Sequence, residues 1–494
     1  MEKFYITTPI YYVNDKPHIG HAYSTIVADV LARFRRTAGD DVIFVTGVDE
    51  NSQKTIDAAA KNGEEIHAYI DRMAETWSST WQKLGISNTD FIRTTEERHI
   101  ETVNDFWSRL DAAEDLYRGK YEGLYCKGHE AFMSPDELTP DGLCPDHKIK
   151  PELVSEENYY FRLSKYQDEL LKFYETNPDF VMPGNRFNEV RAFVENGLED
   201  ISFSRERKGA RAEWGIPVPN DPTQVIYVWA DALINYISEV GVEGWEEHPA
   251  DVQAMGKDIL RFHAVIWPAM LMSAGLPLPG QIIANGFLTV EGTKMSKSLG
   301  NGVDPLDLAE RYGNDAVRYF LLREIPYGGD GDYSEAKMKE RYNGDLANGL
   351  GNFAARVLTL AEKEGGAGGQ GGTLKVSKKG VDNEFRRVIE DMNRAVYAKI
   401  AEFKFNDALA AIWAALAFGD RYVNEKKVWE IKDAAERGDA LYNLVLLLEA
   451  VGATLVPFMP ETAVKIASAI EKTGDDSRAE LKAKKIDVLF PRIK

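Results

Sequence analysis

Residues 4–49 read FYITTPIYYVNDKPHIGHAYSTIVADVLARFRRTAGDDVIFVTGVD. Phe4 to Thr8 is a β-favouring run that ends at Pro9. From His18 onward Ala22, Ile26, Val27, Val30, Leu31 and Phe34 recur at the spacing of one helix face, and Gly39 follows the last turn. Val42-Ile43-Phe44-Val45 is then a short unbroken apolar run, as a parallel strand buried on both faces requires. Strand, helix and strand within this span predict a doubly wound, Rossmann-like parallel α/β sheet.

Two later stretches extend the pattern. Asp251 to Met255 leads into Gly256-Lys257-Asp258 ahead of an apolar helix, and Gln281 to Ala284 leads into Asn285-Gly286. Ligands of such sheets sit at the carboxyl ends of the strands. The His18 turn, Asp49, Asp258 and the Asn285 loop are therefore expected on one face. Between about 118 and 225 short turn-rich segments with Cys, His and Pro break the rhythm and read as an insertion. The expected divisions are a catalytic α/β half at 1–117, the insertion at 118–225, a second α/β half at 226–334, and a mostly helical domain at 335–494. Residues 365–372, GGAGGQGG, read as a flexible loop between helices. The tail IDVLFPR, 486–492, reads as a short strand or docking segment, and no internal repeat is evident.

The 494 residues exceed one ordinary domain. With 44% hydrophobic and 28% charged residues the chain has material for sizeable cores. No uninterrupted apolar run approaches the roughly 20 residues of a membrane helix, and the N-terminus lacks the pattern of a secretory signal. These features lead to an expectation of a cytoplasmic protein with no membrane partner. A net charge of −20 argues against a general nucleic-acid coat, but it leaves room for a specific contact through local Lys and Arg. Two cysteines cannot build a disulfide framework.

Pro17-His18-Ile19-Gly20-His21 follows a strand and opens a helix. Its free backbone N–H groups and the positive helix end are expected to face the ligand side. Gly20 permits close approach of a ligand, and two imidazoles three apart offer donors to phosphate oxygens. In isolation the string is equally a structural histidine pair. Far downstream, Lys294-Met295-Ser296-Lys297-Ser298 lies between Gly292 and Gly300. Two lysines and two hydroxyls on a glycine-flanked loop suit a clamp on polyphosphate, where charge develops as a phosphorus–oxygen bond breaks; the alternative is a solvated basic turn. Neither a P-loop nor GxGxxG is present.

In this order and context the two strings resemble the signature motifs of class I aminoacyl-tRNA synthetases. The span between them is too short for the editing domain of the valine, isoleucine and leucine enzymes. Local strings resemble the methionine family: TPIYYVN at 8–14, TGVDE at 46–50, YVWADA at 227–232, GKDI at 256–259 and NGFL at 285–288. That resemblance implies a methionine pocket of Ile10, Tyr12, Trp229, Ala232, Leu233, Tyr236, Ile259 and His263, where aromatic rings would meet a soft thioether. It implies that Asp49 holds the substrate ammonium and Asp258 faces the ribose or amino group. ATP with Mg²⁺ would lie against His18, Gly20, His21, Asp258, Asn285, Gly286, Lys294, Ser296 and Lys297. His18, His21, Lys294 and Lys297 would be the catalytic groups. Without the motifs, Trp229 and Tyr236 read as ordinary core.

Three departures stand out. After Asp49-Glu50 the family commonly has His-Gly, whereas this chain has Asn51-Ser52. Cys126-x2-His129 and Cys144-x2-His147 fit a closed tetrahedral structural zinc of two thiolates and two imidazoles, where the family is usually richer in cysteine; the alternative is unrelated Cys and His. The resemblance also implies that Asn352, Arg356 and Trp429 read the CAU anticodon of tRNA(Met), initiator and elongator, yet Val428 stands where proline is usual. In isolation these are a solvated helix face and a packed indole. The expected reaction is adenylation of methionine followed by transfer to the tRNA 3′ end, by a monomer. The open alternatives are another class I synthetase without an editing domain, such as the cysteine enzyme, and a non-catalytic synthetase-like tRNA-binding protein.

Overall fold

A computed structural model of the chain describes residues 1–126, 128, 131–133, 137–146, 148–208, 213–295, 300–364, 372–375, 381–473 and 480–493. Its main sheet comprises β1 (Lys3–Tyr12), β2 (Asp41–Asp49), β3 (Asp90–Arg93), β4 (Val181–Met182), β5 (Val252–Gly256) and β6 (Gln281–Asn285), with helix α1 (Ile19–Thr37) between β1 and β2. The strand order is β3-β2-β1-β5-β6-β4 and every pairing is parallel. The order reverses about β1, since β2 lies on one side of it and β5 on the other, which opens a crevice at the carboxyl ends.

Period-two alternation sends Ile6 of β1 into one apolar core and Tyr5 into the other, so both faces are covered. Pro9 does not end β1 as expected. The strand continues to Tyr12 with a register shift between Thr7 and Ile10, because a residue with no N–H can be passed by bulging the ladder.

Within 118–225 two antiparallel sheets form. One pairs Leu116–Cys126 with Ala131–Met133 and Glu152–Phe161, the last also with Ile201–Ser202; the other joins Ser204–Glu206, Pro217–Val218 and Asp221–Ile226. β4 falls in the same stretch of chain yet pairs with β6 at the edge of the main sheet. Residues beyond 335 are mostly helical, with Asn352–Glu364, Asn383–Ala401, Phe405–Lys426, Ala434–Leu455 and Pro460–Ala469. A small antiparallel sheet of Gly372–Lys375, Glu480–Ala483 and Ile470–Thr473 joins them, which periodicity did not reveal. The glycine-rich stretch 365–371 lies outside the described residues.

Ala434–Leu455 is, among the described residues, the one helix with the length and hydropathy of a membrane span, but 61% of its apolar window is buried in the protein. Over 486–492 the tail docks without forming a strand. Phe490 is buried with its ring edge-on to Tyr342 at 6.0 Å, and Ile493 N–H donates to Asn343 Oδ1 at 3.1 Å.

The two regions are tied through α1. Arg318, only 1% exposed, pairs with Asp29 of α1 at 2.7 Å and donates to the carbonyls of Phe458 (2.8 Å) and Pro457 (3.0 Å).

Candidate active site

The turn before α1 is self-capped. His18 is the N-cap, and its Nδ1 accepts from Gly20 N–H at 3.1 Å while His21 Nδ1 accepts from His18 N–H at 3.2 Å. This is a capping box with imidazoles in place of the usual hydroxyl and carboxyl. The remaining early donors are also engaged: Ile19 N–H reaches Val303 O at 2.9 Å, and His21 and Ala22 reach His18 O. The expected free N–H groups are therefore absent in this state, because the histidine side chains and the chain returning at Val303 satisfy them. The imidazoles themselves remain on the ligand side. They stack at 3.6 Å, and His21 is backed by Tyr11 at 5.0 Å and Trp77 at 4.9 Å.

Gly20 sits in tight quarters. A Cβ there would lie 3.0 Å from the His18 ring and 3.2 Å from the Met295 methyl. Met295 thus lies against the α1 turn, which brings the beginning of the downstream loop to the upstream motif. The loop's root is built by Thr293–Lys294 pairing antiparallel with Leu288–Val290, which in turn pairs with Gly331–Tyr333. Asp332 secures the turn, since Gly292 N–H donates to its Oδ1 at 2.7 Å, and that bond helps hold its carboxyl below the usual range. The Lys294 side chain and residues Ser296 and Lys297 lie outside the described residues.

β6 ends in Asn285, whose Oδ1 accepts from Ser24 of α1 at 3.1 Å. Gly286 follows with the Gly329 carbonyl so near that a Cβ would stand 2.1 Å from it, a close approach only glycine permits. β5 ends at Gly256, and Asp258 is exposed on the short turn Lys257–Ile259. Lys257 Nζ bonds both oxygens of Asp330 at 2.6 and 2.9 Å, and Asp330 also accepts Phe287 N–H at 2.8 Å. The two loops that flank the crevice are thereby held to one carboxylate.

Beside this edge lies an apolar cluster. Ile10 and Tyr12, two apart on β1, are partly buried, and Tyr12 pairs in register with Asp49, which is 4% exposed. Trp229, on the short helix Val228–Ala232, stacks on Phe262 at 3.9 Å and meets His263 edge-on at 6.3 Å. Ala232, Leu233 and Tyr236 are buried behind it, while Ile259 is partly buried at the rim. Tyr236 Oη is 2.6 Å from His263 Nε2, and His263 Nδ1 is 3.0 Å from the Ile259 carbonyl. A carbonyl can only accept, so Nδ1 carries the hydrogen and Nε2 accepts from the tyrosine.

Full burial pushes the His263 imidazolium down to about 4, against the weaker upward pull of Ile259. His263 is expected to stay neutral from pH 5 upward, with an NMR titration midpoint below 5. The unfolded chain protonates it near 6.5. Its contribution to stability is therefore complete above pH 6.5 and is lost as the pH falls towards about 4.

The helical region brings Arg356 and Trp429 together, with the guanidinium 4.7 Å over the indole centroid. Arg356 also donates to Asn424 Oδ1 at 2.7 Å. Trp429 is 46% exposed and Val428 is 0% exposed. A buried valine thus anchors the turn where proline was usual, and the indole still faces outward. Asn352 is exposed one turn before Arg356 on the same helix.

Sequence reasoning missed several residues of this arrangement. Phe262 reads as ordinary core within FHAVIW, and its stacking on Trp229 has no signal in spacing. Val303 and Asp330 likewise act through contacts that only the fold creates. A cavity of about 720 Å³ lined by Phe34, Tyr397, Tyr442 and Glu449 lies by the carboxyl end of α1, away from the histidine turn.

A parallel sheet whose switch point carries a histidine-capped helix, with Met295 of the downstream motif against it and an aromatic apolar cluster adjoining, defines a class I aminoacyl-tRNA synthetase. Comparison with known proteins agrees. The family described as tRNA synthetases class I (M) matches residues 4–150 and 146–358. Methionine--tRNA ligase of Thermotoga maritima is 43% identical over 97% of this chain and 77% of its own length, and that of Streptomyces coelicolor is 44% identical over 94% and 88%. The structure of Mycobacterium tuberculosis methionyl-tRNA synthetase in complex with methionyl-adenylate superposes with a TM-score of 0.90 at 40% identity, covering 95% of this chain and 94% of that one. The chain belongs to the methionyl-tRNA synthetase family.

Proposed function

We propose that the chain activates L-methionine with ATP and transfers the methionyl group to the 3′ end of tRNA(Met). The observation that carries this reading is that Tyr12 and Asp49, the histidine turn and the Asn285-Gly286 turn all stand at the carboxyl edge of one parallel sheet, with the Trp229–Phe262–His263 aromatic group packed in the same core as Tyr12. The methionine carboxylate attacks the α-phosphorus of ATP and pyrophosphate leaves. Asp49 holds the ammonium, while Asp258, Asn285 and Gly286 hold the nucleoside. His18 and His21, with Lys294, Ser296 and Lys297 of the downstream motif, donate to the phosphate oxygens as charge develops. Mg²⁺ bound to the ATP would supply neutralising charge at the phosphates. The terminal ribose hydroxyl of tRNA then displaces AMP from the mixed anhydride. No covalent enzyme intermediate is needed, so the protein contributes position and electrostatics. Charging of a tRNA(Met) transcript with labelled methionine tests the second step, and failure to charge it, with adenylate formed, would remove tRNA from the reading. A cytoplasmic monomer completes this proposal.

The exposed indole of Trp429 stacked on Arg356 supports anticodon reading, with Asn352 one turn away. Base stacking on an aromatic ring is worth about 1–3 kcal/mol, so Trp429→Ala is expected to raise KM for tRNA by roughly 5- to 150-fold. Steady-state aminoacylation measures this, with tRNA-independent pyrophosphate exchange as the control.

We also propose a structural zinc. Cys126 and Cys144 are both fully buried in one small cluster with Met133, a desolvated soft-donor pair that fits half of a tetrahedral site. His129 and His147 would complete it and lie outside the described residues; among the described residues no group of three metal-binding side chains occurs. When bound, zinc would cross-link the insertion. Native protein is expected to carry about one zinc per chain by elemental analysis, and Cys126→Ser with Cys144→Ser to carry none.

A further inference from the structure

A chain of hydrogen bonds runs through Asn51 from Asp49 to the short helix that carries Trp229. Asn51 N–H donates to Asp49 Oδ1 at 3.2 Å. Its side-chain amide donates to Asp231 Oδ2 at 2.7 Å and to the Thr94 carbonyl at 3.2 Å. Asp231 belongs to Val228–Ala232, the same short helix as Trp229 and Ala232. Behind it, Asp231 Oδ1 meets His99 Nε2 at 2.7 Å, and His99 Nδ1 meets Ser238 Oγ at 2.9 Å. Asp231 is 1% exposed and His99 0%.

Ser238 Oγ also lies 3.0 Å from the Ile234 carbonyl, so the imidazole is held through both of its nitrogens. Asp231 is thereby fixed in place and offers Asn51 a strong acceptor.

We propose that Asn51, braced by the His99–Asp231 pair, is a positioning residue that sets the distance between the ammonium ligand and the Trp229 wall, and with it the fit for an amino acid of methionine's length. It stands where the family commonly carries histidine. The proposal rests on the assignment of this pocket to methionine.

Two variants test it by ATP–pyrophosphate exchange. Asn51→Ala removes the donor to Asp231; Asn51→Asp keeps the shape and sets two acceptors against each other. KM for methionine is expected to rise about tenfold in the first and further in the second, a hydrogen bond to a charged group being worth roughly that factor, with KM for ATP within about twofold of wild type. Parallel rises in both KM values, or a methionine KM unchanged in both variants, would overturn the proposal. Should Asn51→Asp fail to fold, Asn51→Ala alone decides. Wild-type protein in the same assay separates the two ideas, because absence of methionine-dependent exchange there removes the pocket assignment itself.

Discussion

Replacing His21 with glutamine is expected to lower methionine-dependent ATP–pyrophosphate exchange by about 10²- to 10³-fold, the usual loss on removing one donor to developing transition-state charge. The substitution separates chemistry from folding. His21 closes the α1 capping box by accepting His18 N–H at 3.2 Å, and glutamine is a standard residue at that third helical position. The cap, worth about 0.5–2 kcal/mol, is thus preserved. The donor is not: with Oε1 turned to His18, the glutamine NH₂ lies on the same carbon as the acceptor and cannot occupy the far side of an imidazole. Loss of exchange with an unchanged urea midpoint identifies His21 as acting on the reacting phosphates. Exchange within about threefold of wild type would make the pair a capping device only.

Arg318→Met is expected to destabilise the protein by about 3 kcal/mol, because it removes one of the two guanidinium groups paired with the buried Asp29 and leaves the Pro457 and Phe458 carbonyls without their donor. Asp29 is wholly buried, and that burial alone would raise its pKa; Arg318, Arg33 and Ser87 outweigh it and hold the carboxyl below the usual range. The sign of the pH dependence follows. The pair's contribution is complete above about pH 4–5, where the unfolded chain is ionised, and is lost as the pH falls through the lowered native value. Urea unfolding at pH 7 measures the loss, and Asp29→Asn in the Arg318→Met background should recover part of it by removing a buried charge left with Arg33 as its one cation. A loss below about 1 kcal/mol would contradict a buried link between α1 and the carbonyls of Pro457 and Phe458.

The sheet was legible because its signals are local. The helical period of Ala22 to Phe34 and the run Val42–Val45 each state their own environment, and chain direction then puts His18, Asp49, Asp258 and Asn285 on one edge. What could not be read depends on partners distant in sequence. Pro9 looked like a strand end, yet the neighbouring strand tolerates a bulge there. The α1 donors looked free, yet Val303 and two imidazoles take them. Phe262 and Asp231 look like core residues until Trp229 and Asn51 are seen against them. The small sheet at 372–375, 470–473 and 480–483 has strands too short for alternation to register, and each depends on its neighbours and on the helical core against which Leu374 and Leu481 are buried.

The central claim concerns which amino acid the pocket at Tyr12, Asp49, Trp229 and His263 activates. ATP–pyrophosphate exchange with the twenty amino acids supplied singly to the purified protein tests it most directly. Exchange with methionine well above every other amino acid is the expected result. Exchange with cysteine or another amino acid and none with methionine would contradict the assignment.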